Sequence, residues 1–354
     1  MLYRENGQFK TTYRSDQQLL PITQDRFFVW GMVAFAFLVV PLAASDYMFR
    51  ALIIPFLILT IAAVGLNILV GYCGQISLGH AAFMSVGAYA AYNVVIHVPG
   101  LNFLIVLVLA GLVAALVGIV FGVPSLRIKG LYLAVATLAA QFFIDWVFAR
   151  VKWFTNYAPS GSVSASDVDL FGWVIDQPVE KYWFVLGVLV VMTLLAKNLV
   201  RSHIGRSWMA IRDMDVAASV IGIQPLYAKL SAFAVSSFFA GVAGALWGFI
   251  YLGAWEPLAF SINLSFNLLF MIIIGGMGSV LGSYFGAAFI VVLPLVLNQM
   301  PHLLGIPMST AMISHLEFII FGSLIVLFLI VEPHGLARLW AIGKEKLRLW
   351  PFPH

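Results

Sequence analysis

The residues best suited to chemistry in this chain sit in two glycine-rich breaks. The first reads Gly71-Tyr72-Cys73-Gly74-Gln75-Ile76-Ser77-Leu78-Gly79-His80 and the second Gly275-Gly276-Met277-Gly278-Ser279-Val280-Leu281-Gly282, each between apolar segments. Gln75, Ser77, His80 and Ser279 can hydrogen-bond, and Gly79, Gly276 and Gly278 leave nearby backbone groups free to do the same. Such a set suits a small polar solute passing loosened backbone in discontinuous membrane helices. It suits equally well a pair of tight turns between spans, where small residues let helices approach closely. Spacing leaves both readings open. Asn67, Gln141 and Asn267 are further polar groups in apolar surroundings, placed either to line a path or to bind helices together.

Enzymatic chemistry finds no foothold. The sequence has no G-x-x-x-x-G-K-[ST] phosphate loop, so nucleotide is not hydrolysed here by that route. Asp145 and Glu317 lie within about one turn of predicted span ends, where a carboxylate reaches the interface, and His80 and His315 are also near ends. The single cysteine, Cys73, excludes a disulfide framework, and no metal-ligand cluster is spelled out. No catalytic residue, metal site or cofactor is expected on this chain.

The elements that must position the breaks are membrane helices. Of 354 residues 62% are hydrophobic and 10% charged, with a mean hydropathy of +1.00, against roughly 45–50% apolar and 25% charged in soluble domains. Neither Ala51–Leu126 nor Pro257–Leu316 contains Asp, Glu, Lys or Arg, and each is long enough to cross a bilayer several times at about 20 residues per crossing. Continuous apolar runs exclude a β-barrel, whose strands alternate. The expected fold is therefore an all-α polytopic membrane protein with about ten spans, at 27–45, 51–71, 80–97, 102–122, 131–149, 182–199, 229–252, 264–280, 283–300 and 314–331. Basic residues Arg4, Lys10, Arg14 and Arg26 at one end and Arg338, Lys344, Lys346 and Arg348 at the other place both termini in the cytoplasm. Arg127 and Lys129 fall in a cytoplasmic loop of the same count, and only Arg50, Arg150, Lys152 and Lys181 fall outside. The net charge of +4 reflects this loop bias and gives no reason to invoke nucleic acid. The expected organisation is a cytoplasmic tail over 1–26, a membrane domain over 27–332 containing a cytoplasmic loop at 201–228, and a second cytoplasmic tail over 333–354.

Within that loop, Ser207 to Ile221 reads as a helix of about four turns, with Ser207 as N-cap and Gly222 as its stop. Trp208, Ile211, Asp215 and Ala218 share one face, and Arg206 and Arg212 offer charge to a partner or to lipid headgroups. The plainer alternative is a helix lying on the membrane surface.

At this loop the sequence resembles the branched-chain amino acid permease family of bacterial ABC importers, in its LivM-type branch. The resemblance is carried by Ala210-Ile211-Arg212-Asp213, Ala217-Ala218, Gly222-Ile223, Lys229-Leu230 and Ala240-Gly241-Val242-Ala243-Gly244. In the same order along the chain come Gly74 to Phe83 with Gly87-Ala88-Tyr89, Leu126 to Tyr132 with Ala136-Thr137-Leu138, Gly275 to Ser279, and Pro333-His334-Gly335-Leu336. It implies a multi-pass protein of the bacterial inner membrane that works with two ATPase subunits, which bind ATP and Mg, a second permease subunit of LivH type, and a periplasmic solute-binding protein. It also implies that the loop helix is the coupling helix, in which Ala217, Ala218 and Gly222 fit the permease pattern and Arg206, Trp208, Arg212 and Asp215 share the ATPase-facing task; the residues expected to border the path, from their place at the two breaks, are Gln75, Ser77, Gly79, His80, Gly276, Gly278 and Ser279.

Two departures narrow what carries over. Val216 stands where related permeases have a Glu, with Asp215 one residue earlier. Asn156 to Ser162 replaces a Thr-Gly-Gly segment frequent in the family, so urea, amides and small organic acids stand beside amino acids as expected solutes. A self-sufficient secondary transporter or channel is the alternative from another class.

Overall fold

The computed structural model describes residues 11–12, 23–123, 131–158, 161–166, 168–304, 310–332 and 335–349. Arg127, Lys129, the Pro333-His334 pair and most of the 1–26 tail lie outside them.

Twelve helices carry the described chain. They are α1 (Thr23–Leu38), α2 (Asp46–Tyr72), α3 (His80–His97), α4 (Phe103–Gly122), α5 (Leu131–Arg150), α6 (Pro178–Arg201), α7 (His203–Val220), α8 (Pro225–Leu252), α9 (Ile262–Gly275), α10 (Val280–Leu304), α11 (Thr310–Val331) and α12 (Gly335–Leu349). The protein is an all-α polytopic membrane protein. Eight helical segments among the described residues are long and apolar enough to cross a bilayer, beginning with Asp25–Ala43. Each of the ten expected spans overlaps a helix. The 18-residue α3 is not among those eight, because Ser85, Tyr89, Asn93 and His97 dilute its apolar character.

At the centre stand α2 and α8, whose residues are mostly buried, with α3 packed against α8. The α3–α8 contact depends on glycine: a Cβ added to Gly87 would come 2.1 Å from the Gly241 carbonyl oxygen. α1 turns Phe27, Phe28 and Trp30 outward, as a lipid-facing helix does. It is tied to α6 by the Tyr182 hydroxyl, which donates to Ala36 O at 2.6 Å, and by the Trp183 indole, which donates to Phe37 O at 3.2 Å.

The two central helices each end in a wider turn. In α2 the stretch Ile68–Tyr72 is π-helical, and in α8 so is Trp247–Leu252. Beyond α8, β4 (Ala254–Trp255) pairs antiparallel with β1 (Val163–Ser164) from the α5–α6 connection. That connection also holds a hairpin of β2 (Val168–Leu170) and β3 (Trp173–Ile175), turned by Phe171 and Gly172, both with positive φ. These strands lie at the end of the bundle opposite α7. α6 then opens with Pro178 in its first turn, and the Glu180 carboxylate accepts from the backbone N–H of Asp176 and Gln177.

Candidate coupling and translocation site

The two glycine breaks, about two hundred residues apart in sequence, are one structure. Asn67, on α2 just before the first break, donates through Nδ2 to Ser279 O at 2.8 Å and Ser283 Oγ at 2.9 Å, with Gly276 O at 3.5 Å. Its Oδ1 accepts from the Gly278 N–H at 2.8 Å. A buried side-chain amide therefore satisfies backbone groups that the second break leaves without helical partners. The approach leaves no room for a side chain at position 71: an added Cβ would stand 2.0 Å from Asn67 Oδ1 and 2.2 Å from Gly278 N. Gly278 itself has φ +76, in the left-handed region that favours glycine.

A third element enters at this junction. Arg212 of α7 donates from Nη1 to Gly71 O at 3.0 Å, and its Nε and Nη2 both reach Asp213 Oδ1 at 2.9 Å. The charge expected to face a partner or lipid is turned toward the breaks. Gly74, at φ +72, packs on the Arg212 side chain and backbone.

Past Gly74 the first break enters α3 through groups that lack partners. Gln75 Oε1, Ser77 Oγ and both ring nitrogens of His80 are buried with no hydrogen-bond partner among the described residues. Each such group costs about 1–3 kcal/mol. Among the described residues the Gln75 amide donates to Cys73 Sγ alone, at 3.1 Å. By contrast the first backbone N–H groups of α3 are served by side chains of other helices: Ala81 N donates to Ser265 Oγ and Ala82 N to Gln141 Oε1, both at 2.8 Å. Thr137 Oγ1 takes the Leu78 N–H at 2.9 Å. Gly79 lies against Thr137 O, with no space for a Cβ. Gln141 also donates to Phe260 O at 2.9 Å and to the Asp145 carboxylate at 3.1 and 3.2 Å, so Gln141 binds helices together and Asp145 turns inward. At the second break Gly276 is buried, and Ser279 Oγ accepts from the Gly282 N–H at 3.2 Å, a cap for α10.

The loop helix is longer than its sequence suggests and is bent. It starts at His203, capped by Ser202, whose Oγ accepts from the Ile204 N–H at 3.2 Å; Ser207 instead lies inside and donates to His203 O. Met214, with φ −161 and ψ 100, breaks it into two segments. On the first, Trp208 is fully buried and donates to Ser231 Oγ at 2.9 Å, while Arg206 is exposed. On the second, Ala218 is buried, Asp215 half-buried and Ala217 exposed. Gly222, at φ +88, sits in the closing turn, where Ile223 N donates to Ala218 O at 3.0 Å. The stripe of Trp208, Ile211 and Ala218 thus packs onto the protein's own body. What the second segment offers outward is apolar: Val216, Val220 and Ile221 are 65%, 81% and 74% exposed. This patch was missed in the sequence, where its signal was the four-residue spacing of Val216 and Val220.

Comparison with known proteins bears on what such a junction serves. Residues 48–331 match the family described as "Branched-chain amino acid transport system / permease component". The chain belongs to this family. Among its relatives in that family is the high-affinity branched-chain amino acid transport system permease protein LivM of Salmonella typhimurium, 30% identical over 307 residues, covering 79% of this chain and 68% of the relative. The protein of the same name from Escherichia coli K12 matches to the same extent. A probable LivM permease of Methanocaldococcus jannaschii is 24% identical over 251 residues, covering 68% of this chain and 69% of that one. No solved structure matches the chain.

α7 meets the junction of the two breaks, where Arg212 holds the Gly71 carbonyl and Asn67 ties the same stretch of α2 to Gly278 and Ser279. Among the described residues no group of three or more His, Cys, Asp or Glu side chains is placed to hold a metal ion.

Proposed function

We propose that this permease component is one of two membrane subunits of a bacterial inner-membrane ABC importer, passing a branched-chain or other amino acid delivered by a periplasmic solute-binding protein. ATP and Mg are bound by two ATPase subunits, and the second membrane subunit is of LivH type. The observation that carries this reading is the Arg212–Gly71 contact, which joins an externally apolar loop helix to the junction of both breaks. The exposed tip of α7 docks in the ATPase. Arg206, Asp215, Ala217 and Gly222 lie at or beside that surface, while Trp208, Arg212 and Ala218 hold the helix to the permease. Gln75, Ser77, Gly79 and His80 form one wall of the path, and Gly276, Gly278 and Ser279 shape the backbone facing it.

The test is reconstitution in proteoliposomes. Leucine uptake is expected only with both ATPase subunits, the second permease and ATP present. Val220→Asp, which places a charge on the exposed tip, is expected to abolish co-purification of the ATPase while leaving membrane insertion intact. Downhill leucine flux through this chain alone would overturn the importer reading in favour of a channel.

A further inference from the structure

Unpartnered polar groups continue along α3 beyond the first break. Ser85, Tyr89 and Asn93 occur at four-residue intervals and so form one slowly turning stripe. All three are buried, and Ser85 Oγ, the Tyr89 hydroxyl and Asn93 Oδ1 have no hydrogen-bond partner among the described residues. Asn93 is tied through Nδ2, which donates to Tyr89 O at 2.8 Å and to Phe154 O at 3.2 Å, but neither Ser85 nor Tyr89 shows a cross-helix side-chain bond such as those of Gln141 among the described residues.

At Tyr89, about 13 Å along the helix from His80, the stripe meets three other elements. Its ring stacks on Phe148 of α5, with centroids 4.3 Å apart, and meets Trp255 of β4 edge-on at 6.3 Å. Trp255 is 3% exposed, and its indole N–H is likewise without a partner. Two donors are thus held by packed rings at one junction. A phenylalanine at 89 would stack equally well, so the hydroxyl is buried at a cost that packing does not explain.

The charges around this junction have the opposite sign. Asp145 lies one turn before Phe148 on α5, its carboxylate turned inward to Gln141 at 3.1 Å, and Glu256 is the next residue after Trp255. Tyr92 and Phe249 pack on Trp255 at 6.1 and 5.5 Å and complete an aromatic wall. Donors for a carboxylate, a carboxylate for an ammonium group and a wall for an apolar side chain therefore occur together.

We propose that Tyr89, Trp255 and Asp145 form a transient site for an α-amino acid zwitterion crossing the permease, whose carboxylate is taken by the Tyr89 hydroxyl and Trp255 indole N–H and whose ammonium is taken by Asp145. This rests on the importer reading above and adds to it the place and chemistry of solute contact. Trp255 is carried by the segment between α8 and α9, so movement of that segment away from α3 uncovers both donors.

The assembled importer in proteoliposomes, with its binding protein saturated by leucine, tests the site through leucine taken up per ATP hydrolysed. Tyr89→Phe, Trp255→Phe and Asp145→Asn are each expected to lower that ratio roughly tenfold, the loss of about one hydrogen bond to a charged group. An unchanged ratio in all three variants overturns the site, as does a parallel fall of uptake and ATP hydrolysis at constant ratio, which marks a packing role. Absence of leucine uptake by the wild-type assembly is a different failure, that of the importer reading itself.

Discussion

Arg212→Ala removes the hydrogen bond that links α7 to the first break. The bond runs from a guanidinium to a backbone carbonyl at 3.0 Å, and bonds to charged groups contribute about 1.5–3 kcal/mol. The Arg212 side chain is 37% exposed and shares its charge with Asp213 at 2.9 Å, so screening by solvent favours the lower end, about 1.5 kcal/mol. That corresponds to roughly a tenfold change in the equilibrium between coupled and uncoupled positions of the helix. The assay is ATP hydrolysis by the reconstituted assembly with and without solute-loaded binding protein. Arg212→Ala is expected to leave the basal rate in place and to lower the stimulated increment about tenfold. Arg212→Lys, which keeps the charge but loses the planar fork, is expected to fall between. A stimulated increment equal to that of the wild type, in a variant that inserts and assembles normally, refutes the idea that force passes through this contact.

Other substitutions test the frame around it. Gly71→Ala places a methyl group 2.2 Å from Gly278 N and is expected to destabilise the fold by about 3 kcal/mol, read as a lowered melting temperature in detergent. Gln141→Leu leaves the Phe260 carbonyl without its partner, while the Ala82 N–H keeps Gly79 O at 3.2 Å, and is expected to cost about 1–3 kcal/mol by the same measurement. Gly222→Ala meets nothing within 4 Å, so only the strain of φ +88 remains, about 1–2 kcal/mol, with leucine uptake retained. Trp208→Phe keeps the buried ring and loses the bond to Ser231, an expected loss of about 1 kcal/mol that is visible in thermal melting.

Much of this was legible in the sequence because membrane helices advertise themselves by length and apolarity, and glycine runs mark where helices stop. Both breaks fall where Gly71–His80 and Gly275–Gly282 placed them. Their union was not legible: Asn67 and Gly278 are brought together by the packing of α2 against α9 and α10, and no local pattern encodes a partner about two hundred residues away. The loop helix shows a second limit. Periodicity found the stripe of Trp208, Ile211 and Ala218, but an apolar stripe says only that it will be covered, and its cover is the permease's own body. Ser202 and Ser207 are both competent N-caps, and only tertiary placement of α6 selects the earlier one. The bend at Met214 has no glycine or proline to announce it.

The π-helical turns that close α2 and α8 lie at opposite ends of the bundle. Such a turn holds one residue more than an α turn at similar hydrogen-bond count. Reverting one to α geometry therefore expels a residue from the helix end and rotates the adjoining downstream chain by about 100°, with an axial shift of about 1.5 Å. For α2 that displacement falls on the segment leading to Gln75 and His80, and for α8 on the strand bearing Trp255. α8 thus carries one step of slack and α2 carries one near each end, at Phe49–Ile53 and Ile68–Tyr72, while the α-helical middle of each rod keeps its two ends in register.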